Sequence, residues 1–403
     1  MIQFGSGPLE VACAAFPVGP LETRVAVFRQ GTLSVGLVNS DYEIFDQGRQ
    51  ALAEALAVPP ENILCAVTNN ASRAGGWPEQ AQRELRKTAE RLPALFRRVT
   101  VSYGSNTQDD LTFNRKARRK NGASYVVREE DRRKMSRAKL GAIDPLASVV
   151  RFDDETGAPV LLLAHFTGRP VVAYNREAPV IDPDYCGYAL LELAKSFHPM
   201  QPVTSFLQGC SGDVSAKFLG GGVRKAKEMG RKLGKSFVDA ALGEHVVDEP
   251  VLGYGAATAT LRYAPLPALT ELESNGSRGK WTEWALGHVR NGVSSPEKEC
   301  KLQLHAITFG SEVALVFLQG EPFVGIGLTI RERSPFALTI PVSCTNSMEP
   351  HFIGQAKDLG DVDWLSAFYQ EALKPPYTKP AGDMLSFKAL QLLNEMKGQP
   401  ART

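Results

Sequence analysis

His165, Arg169, Asn175, Asp182 and Asp184 fall in one stretch, VLLLAHFTGRPVVAYNREAPVIDPDYCG, at residues 160–187. An imidazole titrates near neutrality, a guanidinium presents a fixed fork to an anion, and a carboxylate can take or release a proton. The apolar run 160–164 is too short for a helix and reads as a buried strand ending at His165; Gly168, Pro170, Pro179 and Pro183 then impose a loop. The same arrangement recurs along the chain. Asp41 follows the run 33–39, TNNASRAGG follows 62–68, QGCSGDVS follows 203–207, Glu321 follows 313–318, and His351 follows the strand-like 337–344. Binding groups in α/β proteins sit where strands end, so the first five of these strands are predicted to deliver their C-terminal ends to one cleft.

Each candidate has a plainer reading beside the chemical one. His351 suits a general acid or base, yet a loop histidine more often serves hydrogen bonding, and a strand-end histidine such as His165 usually bonds to backbone. Asn70, Asn114 and Ser72 carry donors suited to an oxyanion. Cys210 and Cys344 stand near these groups, and a thiol with a histidine is the minimal kit for covalent acyl chemistry, although inert buried thiols are the commoner case.

The elements that must position these groups follow from periodicity and punctuation. Strands are expected at 9–15, 23–29 and 33–39, a helix at 46–57 stopped by Pro59 and Pro60, and a strand at 62–68, so that a βαβ unit with a central third strand begins the fold. Helices are expected over 78–91, 188–197, 220–241 and 385–396, strands over 96–103, 251–263 and 302–309, and an ambiguous element at 325–331. Trp281 and Trp284 read as packing anchors. One mixed α/β domain of several layers, spanning residues 1–403, is the simplest account.

Hydrophobic residues make up 43% of the 403, enough for a sizeable core. Lys and Arg number 46 against 44 Asp and Glu, and this net charge of +2 provides no electrostatic footprint for nucleic acid or membrane. The interleaved charges of residues 114–139 read as solvated surface rather than a nucleic-acid patch. The expected partner is a small molecule. The six cysteines form no CxxC pair and are expected reduced, and MIQFGSGPLEVACAAF lacks a basic signal-peptide start, which points to the cytoplasm.

Taken in order, the strand-end segments resemble the catalytic domain of the neutral/alkaline, non-lysosomal ceramidase family, amide hydrolases that use a zinc ion. In that family one strand ends in Asp and the next in Thr-His-Thr-His-Ser-Gly; Asn-Arg, His-x-Thr, Gly-Asp-Val-Ser, Gly-Glu and Asn-x-x-x-x-Tyr follow. The matching places here hold Asp41, TNNASRAGG, Asn114–Arg115, HFTGRP, QGCSGDVS, Gly320–Glu321 and Asn346 to His351, with GAIDP ahead of a strand that turns at DDETG. The resemblance covers most of the chain. It implies a mixed, multi-layer sheet-and-helix domain with no counterpart of the immunoglobulin-like C-terminal domain of larger members.

The resemblance also implies where zinc would bind. The family holds it with two histidines, a glutamate and a tyrosine, and those places here are Asn69, Arg169, Glu321 and His351. Only the glutamate is kept; a guanidinium has no lone pair to donate and an amide is a poor ligand. No cofactor is therefore expected, and Arg169 is expected to enter opposite Glu321, in a bidentate pair whose charge stands in for the metal. Arg169 would then either bind substrate or only hold the old pocket together; Arg115 matches a family arginine near the substrate, and Arg115 and Arg169 would hold an anionic or carbonyl group. Glu321 and His351 would be the acid/base pair, with Asn69, Asn70, Ser72, Asn114 and Asp41 lining the substrate. The expected activity is amide, ester or acyl chemistry, or a proton transfer, on a small polar substrate. The alternatives are a metal-dependent amide hydrolase with ligands drawn from Asp41, His165, Glu321 and His351, and a non-catalytic relative that binds a ligand or a partner protein. Ceramide is not expected as substrate, since no amphipathic membrane-docking segment is present.

Overall fold

Strands that are apolar at every position need cover on both faces, and Ile63–Val67 and Val313–Leu318 are buried throughout. The computed structural model, which describes residues 1–73, 79–118, 124–127, 139–175, 177–243, 245–274, 279–349, 352–355 and 373–398, supplies that cover with two sheets packed face to face. The strands used below are β1 (Ile2–Phe4), β2 (Glu10–Val18), β3 (Leu21–Gln30), β4 (Leu33–Ser40), β5 (Ile63–Val67), β6 (Arg97–Thr107), β7 (Leu146–Asp154), β8 (Pro159–Phe166), β9 (Val203–Gln208), β10 (Leu252–Arg262), β11 (Glu299–Phe309), β12 (Val313–Leu318) and β13 (Leu338–Val342). The large sheet runs β9-β8-β7-β6-β2-β3-β4-β5, and the small one β1-β10-β11-β12-β13. Both are mixed: β4 pairs β5, β8 pairs β9 and β12 pairs β13 in parallel, while their other neighbours are antiparallel.

The core lies between the sheets, where Phe28, Phe152 and Phe309 meet with ring centroids 5.0 to 5.3 Å apart. Each such buried ring is worth roughly 1.5–3 kcal/mol. Helices α1 (Phe45–Leu56) and α2 (Glu79–Arg91) cover the outer face of the large sheet at β2 to β5, and α3 (Asp184–Lys195) and α4 (Gly222–Ala241) cover it at β6 to β9. Helices α5 (Lys280–Arg290), α6 (Val324–Arg333) and α7 (Ala381–Lys397) cover the far face of the small sheet. The result is a four-layer α/β/β/α domain, which sharpens the expected multi-layer architecture. The α3–α4 contact is close because Gly230 faces Tyr188, where a Cβ would come within 2.4 Å of the tyrosine's own Cβ.

The expected βαβ unit is present as β4, α1 and β5. The strand expected to be central, β4, is instead one place from the edge strand β5. Residues 343–346 cover that edge: Val67 N–H donates to Cys344 O at 3.1 Å and Asn346 N–H to Cys65 O at 2.7 Å. Three-residue β1 is too short to show a period and escaped the sequence reading, and the ambiguous segment at 325–331 is helix α6, its glycines having masked the propensity. Trp281 is fully buried and donates to Lys374 O at 2.7 Å, an anchor as expected. His351 and most of the charged stretch 114–139 lie outside the described residues. No helix among the described residues is long and apolar enough to cross a membrane.

Candidate functional site

Parallel pairing of β4 with β5 makes Asp41 and the segment after Val67 emerge side by side. Thr68 Oγ1 donates to Asp41 Oδ1 at 2.7 Å and the Glu22 N–H to Oδ2 at 3.0 Å, with Arg24 Nη1 3.8 Å from Oδ2. The parallel pair β8 and β9 likewise delivers Arg169 and QGCSGDVS together, tied by Gly209 N–H to Phe166 O at 3.0 Å. From the small sheet, β12 delivers Glu321, and Asn69 Nδ2 donates to Glu321 Oε2 at 2.8 Å. Ala71 N–H to Pro170 O at 2.9 Å and Gly212 N–H to Pro322 O at 3.0 Å close the ring. The five strand ends are therefore tied to one another, and they come from both sheets. Residues 343–346 form the seam, with Ser343 N–H bonded to Gln208 O at 2.8 Å. Cys344 and Asn346 adopt φ of +55° and +61° within it.

Glu321 is 3% exposed and Asn69 7%. Asn69 takes φ +57°, a left-handed conformation that asparagine tolerates better than most residues and that turns its amide toward Glu321. The expected bidentate pair of Arg169 with Glu321 is not formed. Arg169 is pinned to the short strand Val214–Ala216, which pairs with Thr112–Asn114, through its N–H to Val214 O at 3.1 Å, whereas Glu321 is pinned by pairing with Phe352 in a short parallel ladder. Arg169 stays half-buried with its Nε buried and unpartnered. Both charges act on Cys344: burial drives its thiol well above the usual range, Glu321 adds to the rise and Arg169 opposes it. Burial raises the Cys210 thiol as well. Neither thiol is therefore a ready nucleophile.

Several expected substrate contacts are latches. Asn70 spends its amide on Asp182 O at 2.8 Å and on Ser72 N–H at 2.8 Å, and so fastens the 170s loop. Asn114 donates to Ala142 O at 2.7 Å and Asp213 Oδ2 at 2.8 Å, while its Oδ1 accepts from Lys116 N–H at 2.7 Å. Ser72 keeps a buried Oγ with no hydrogen-bond partner. Arg115 is half-buried, with its N–H on Asp213 O at 2.6 Å. A cavity of about 350 Å³ opens beside Asn114 and Asp213, with Lys116 and Arg118 in its wall. Asp213 was missed as a candidate, although it follows a strand end just as Asp41 and Glu321 do. Its Oδ1 accepts the Val324 N–H at 2.7 Å and so caps helix α6.

Among the described residues, which do not include His351 of the fallback metal set, no three His, Cys, Asp or Glu are placed to hold an ion. Asp41 is engaged by Thr68, Glu22 and Arg24, and His165 is 1% exposed with neither ring nitrogen hydrogen-bonded. Burial pulls the His165 pKa down to about 4; Asp144 opposes this, Arg331 reinforces it, and the Pro341 carbonyl lies close enough to favour the proton without completing a hydrogen bond. Gly209 beneath it is obligatory, because a Cβ there would lie 2.1 Å from Thr167 Oγ1. Asp184 accepts N–H groups from Ala173 and Tyr185 at 2.8 and 2.7 Å, and burial still raises its carboxyl to about 7. Tyr188 Oη donates to Asp182 at 2.8 Å. Both aspartate side chains thus hold the loop in place.

The donor set fits zinc poorly for chemical reasons. An asparagine amide such as that of Asn69 is a poor ligand beside imidazole, Arg169 offers no lone pair, and catalytic zinc uses three protein ligands.

No family model matches the chain, and no curated protein matches it. Solved structures do match it, ceramidases among them. A neutral ceramidase from Pseudomonas aeruginosa aligns with 98% of this chain and 76% of its own length at 14% identity and a TM-score of 0.65. A ceramidase complexed with C2 aligns over 98% and 77% at 14% identity and a TM-score of 0.64. The chain has a ceramidase-like mixed α/β fold.

Proposed function

We propose that this chain is a zinc-independent hydrolase or acyl-transfer enzyme for a small polar amide or ester, working at the ring of strand ends around Glu321. The observation that carries the proposal is the buried Glu321 carboxylate, held at 2.8 Å by an asparagine amide where the ends of β5 and β12 meet. His351 directly precedes Phe352 in the chain, and Phe352 is the strand partner of Glu321, which motivates pairing these two as acid and base. In hydrolysis, the base takes a proton from water, the water oxygen bonds the carbonyl carbon, and that proton passes to the leaving amine or alcohol as its bond breaks. Arg169, half-buried and not paired with Glu321, and Arg115 are the groups for an anionic or carbonyl part of the substrate.

Two outcomes test this reading. Protein purified without chelator is expected to carry less than stoichiometric zinc by elemental analysis, and hydrolysis of a panel of carboxylate-bearing amides and esters should survive chelator. One zinc per chain with chelator-sensitive turnover overturns it in favour of a metal-dependent enzyme. Arg169→Ala is expected to lower kcat/KM on the best panel substrate by about a hundredfold, corresponding to about 3 kcal/mol for a charged contact. Its unfolding midpoint should stay near that of the parent. A loss of stability matching the loss of activity would make Arg169 a structural residue.

A further inference from the structure

The ends of β5 and β12 belong to different sheets, and residues 344–347 are bonded to both. On one side Val67 N–H donates to Cys344 O at 3.1 Å and Asn346 N–H to Cys65 O at 2.7 Å. On the other, Cys344 N–H donates to Gly320 O at 2.9 Å, Thr345 N–H to Leu318 O at 3.1 Å and Gly320 N–H to Ser347 O at 3.0 Å. Asn69 follows the first strand and Glu321 the second, so this double seam fixes how the two side chains meet.

The Asn346 side chain completes the seam. Its Oδ1 accepts the Cys65 N–H at 2.9 Å, so Asn346 holds both backbone groups of Cys65, and its φ of +61° is one that Asn and Gly adopt at little cost. Which way the amide faces is set from outside the seam. Tyr254 Oη donates to the Glu61 carbonyl and so spends its only proton; 2.9 Å from His305 Nδ1, it can only accept. Nδ1 therefore carries the imidazole proton, and Nε2 is left to accept from Asn346 Nδ2 at 3.3 Å, which turns Oδ1 toward Cys65. Burial, reinforced by Arg49, pulls the His305 pKa down to about 4, so near neutrality Nε2 keeps its lone pair.

We infer that Asn346 is a positioning residue for the Glu321 site, clamping the ends of β5 and β12 in the register that brings Asn69 to Glu321, and that His305 sets the clamp by fixing the Asn346 amide. Its effect on turnover rests on the proposed reading of that site. Asn346→Gly removes the amide but keeps the left-handed backbone. In hydrogen–deuterium exchange of the intact protein at neutral pH, the Cys65, Val67 and Gly320 amides should exchange about tenfold faster in this variant, and Val150 and Leu163 of the remote β7–β8 pair should not change. His305 supplies a second pair of variants. His305→Gln keeps an acceptor near the place of Nε2 and should exchange like the parent, whereas His305→Leu fills the space, cannot accept, and should behave as Asn346→Gly does. On the best panel substrate Asn346→Gly and His305→Leu are expected to lower kcat about tenfold with KM held within about twofold, and His305→Gln to change neither. Exchange needs no substrate, so it decides the clamp even where no panel substrate is turned over, an outcome that would count against the reading of the Glu321 site alone. Parental exchange at the three amides in Asn346→Gly, or in His305→Leu if Asn346→Gly does not fold, would overturn the inference. So would a His305→Gln variant no closer to the parent than His305→Leu, or a rise in KM with kcat intact.

Discussion

Asp144→Ala is expected to destabilise the protein by about 3 kcal/mol, although Asp144 stands apart from the Glu321–Asn69 contact. One guanidinium nitrogen of Arg331 reaches both Asp144 oxygens, at 2.7 and 2.6 Å, and the carboxylate also accepts from Leu146 N–H at 3.1 Å and Thr167 Oγ1 at 3.2 Å. Asp144 is 4% exposed and Arg331 20%. Removing one partner of a buried pair costs roughly 3–5 kcal/mol, mostly because the other charge is left without compensation. The residual exposure of Arg331 sets the expectation at the low end. The pair also fastens helix α6 at its C-terminal turn, as Asp213 fastens it at its first. Denaturant unfolding should show a lower midpoint at an unchanged m-value. In a double-mutant cycle, Arg331→Met should recover part of the loss. A cost below about 1 kcal/mol, or strict additivity with Arg331→Met, would show that the pair is not a unit.

The sequence made the positions of the strand ends legible, and with them the meeting of Asp41, Asn69, Arg169 and Glu321, because a fully apolar run that stops at a polar, Gly- or Pro-marked segment is a local signal. It did not make partners legible. The Asp144–Arg331 pair spans 187 positions and the Asn69–Glu321 contact 252. Which of several strand-end groups touch depends on how the two sheets stack and on where the seam at residues 343–346 runs, and neither has a local signature. Arg169 shows the difference: its loop was located correctly, but it is pinned to Val214 and does not pair with the carboxylate that the family's ligand positions set opposite it. Asn70 and Asn114 show it in reverse, since their donors suit an oxyanion but satisfy backbone carbonyls. The fold resemblance told where carboxylates gather, and only geometry told which of them are spent.

Between pH 6.5 and 4.5 the protein is expected to lose stability by about 1.4 kcal/mol per pH unit, through the balance of three buried groups. Burial holds His165 and His305 at about 4 against an ordinary 6.5, so in this window both are neutral when folded and protonated when unfolded. Their contribution is fully present above pH 6.5 and is lost as pH falls toward 4, and the unfolded state binds two more protons on their account. Asp184 acts in the opposite sense. Its carboxyl, raised to about 7 from 3.8, is protonated when folded and ionised when unfolded, so its contribution is present at low pH and lost as pH rises through 7. Two protons against one leave a net uptake of about one on unfolding, hence the slope of roughly 1.36 kcal/mol per unit. Single substitutions separate the three. His305→Gln should bring the slope near zero, and Asp184→Asn should roughly double it, whatever each does to stability at neutral pH. Urea unfolding at half-unit steps from pH 4.5 to 6.5 reads all three slopes. A flat parent profile, or an Asp184→Asn profile no steeper than the parent's, would mean that these groups are not held in the protonation states their burial dictates.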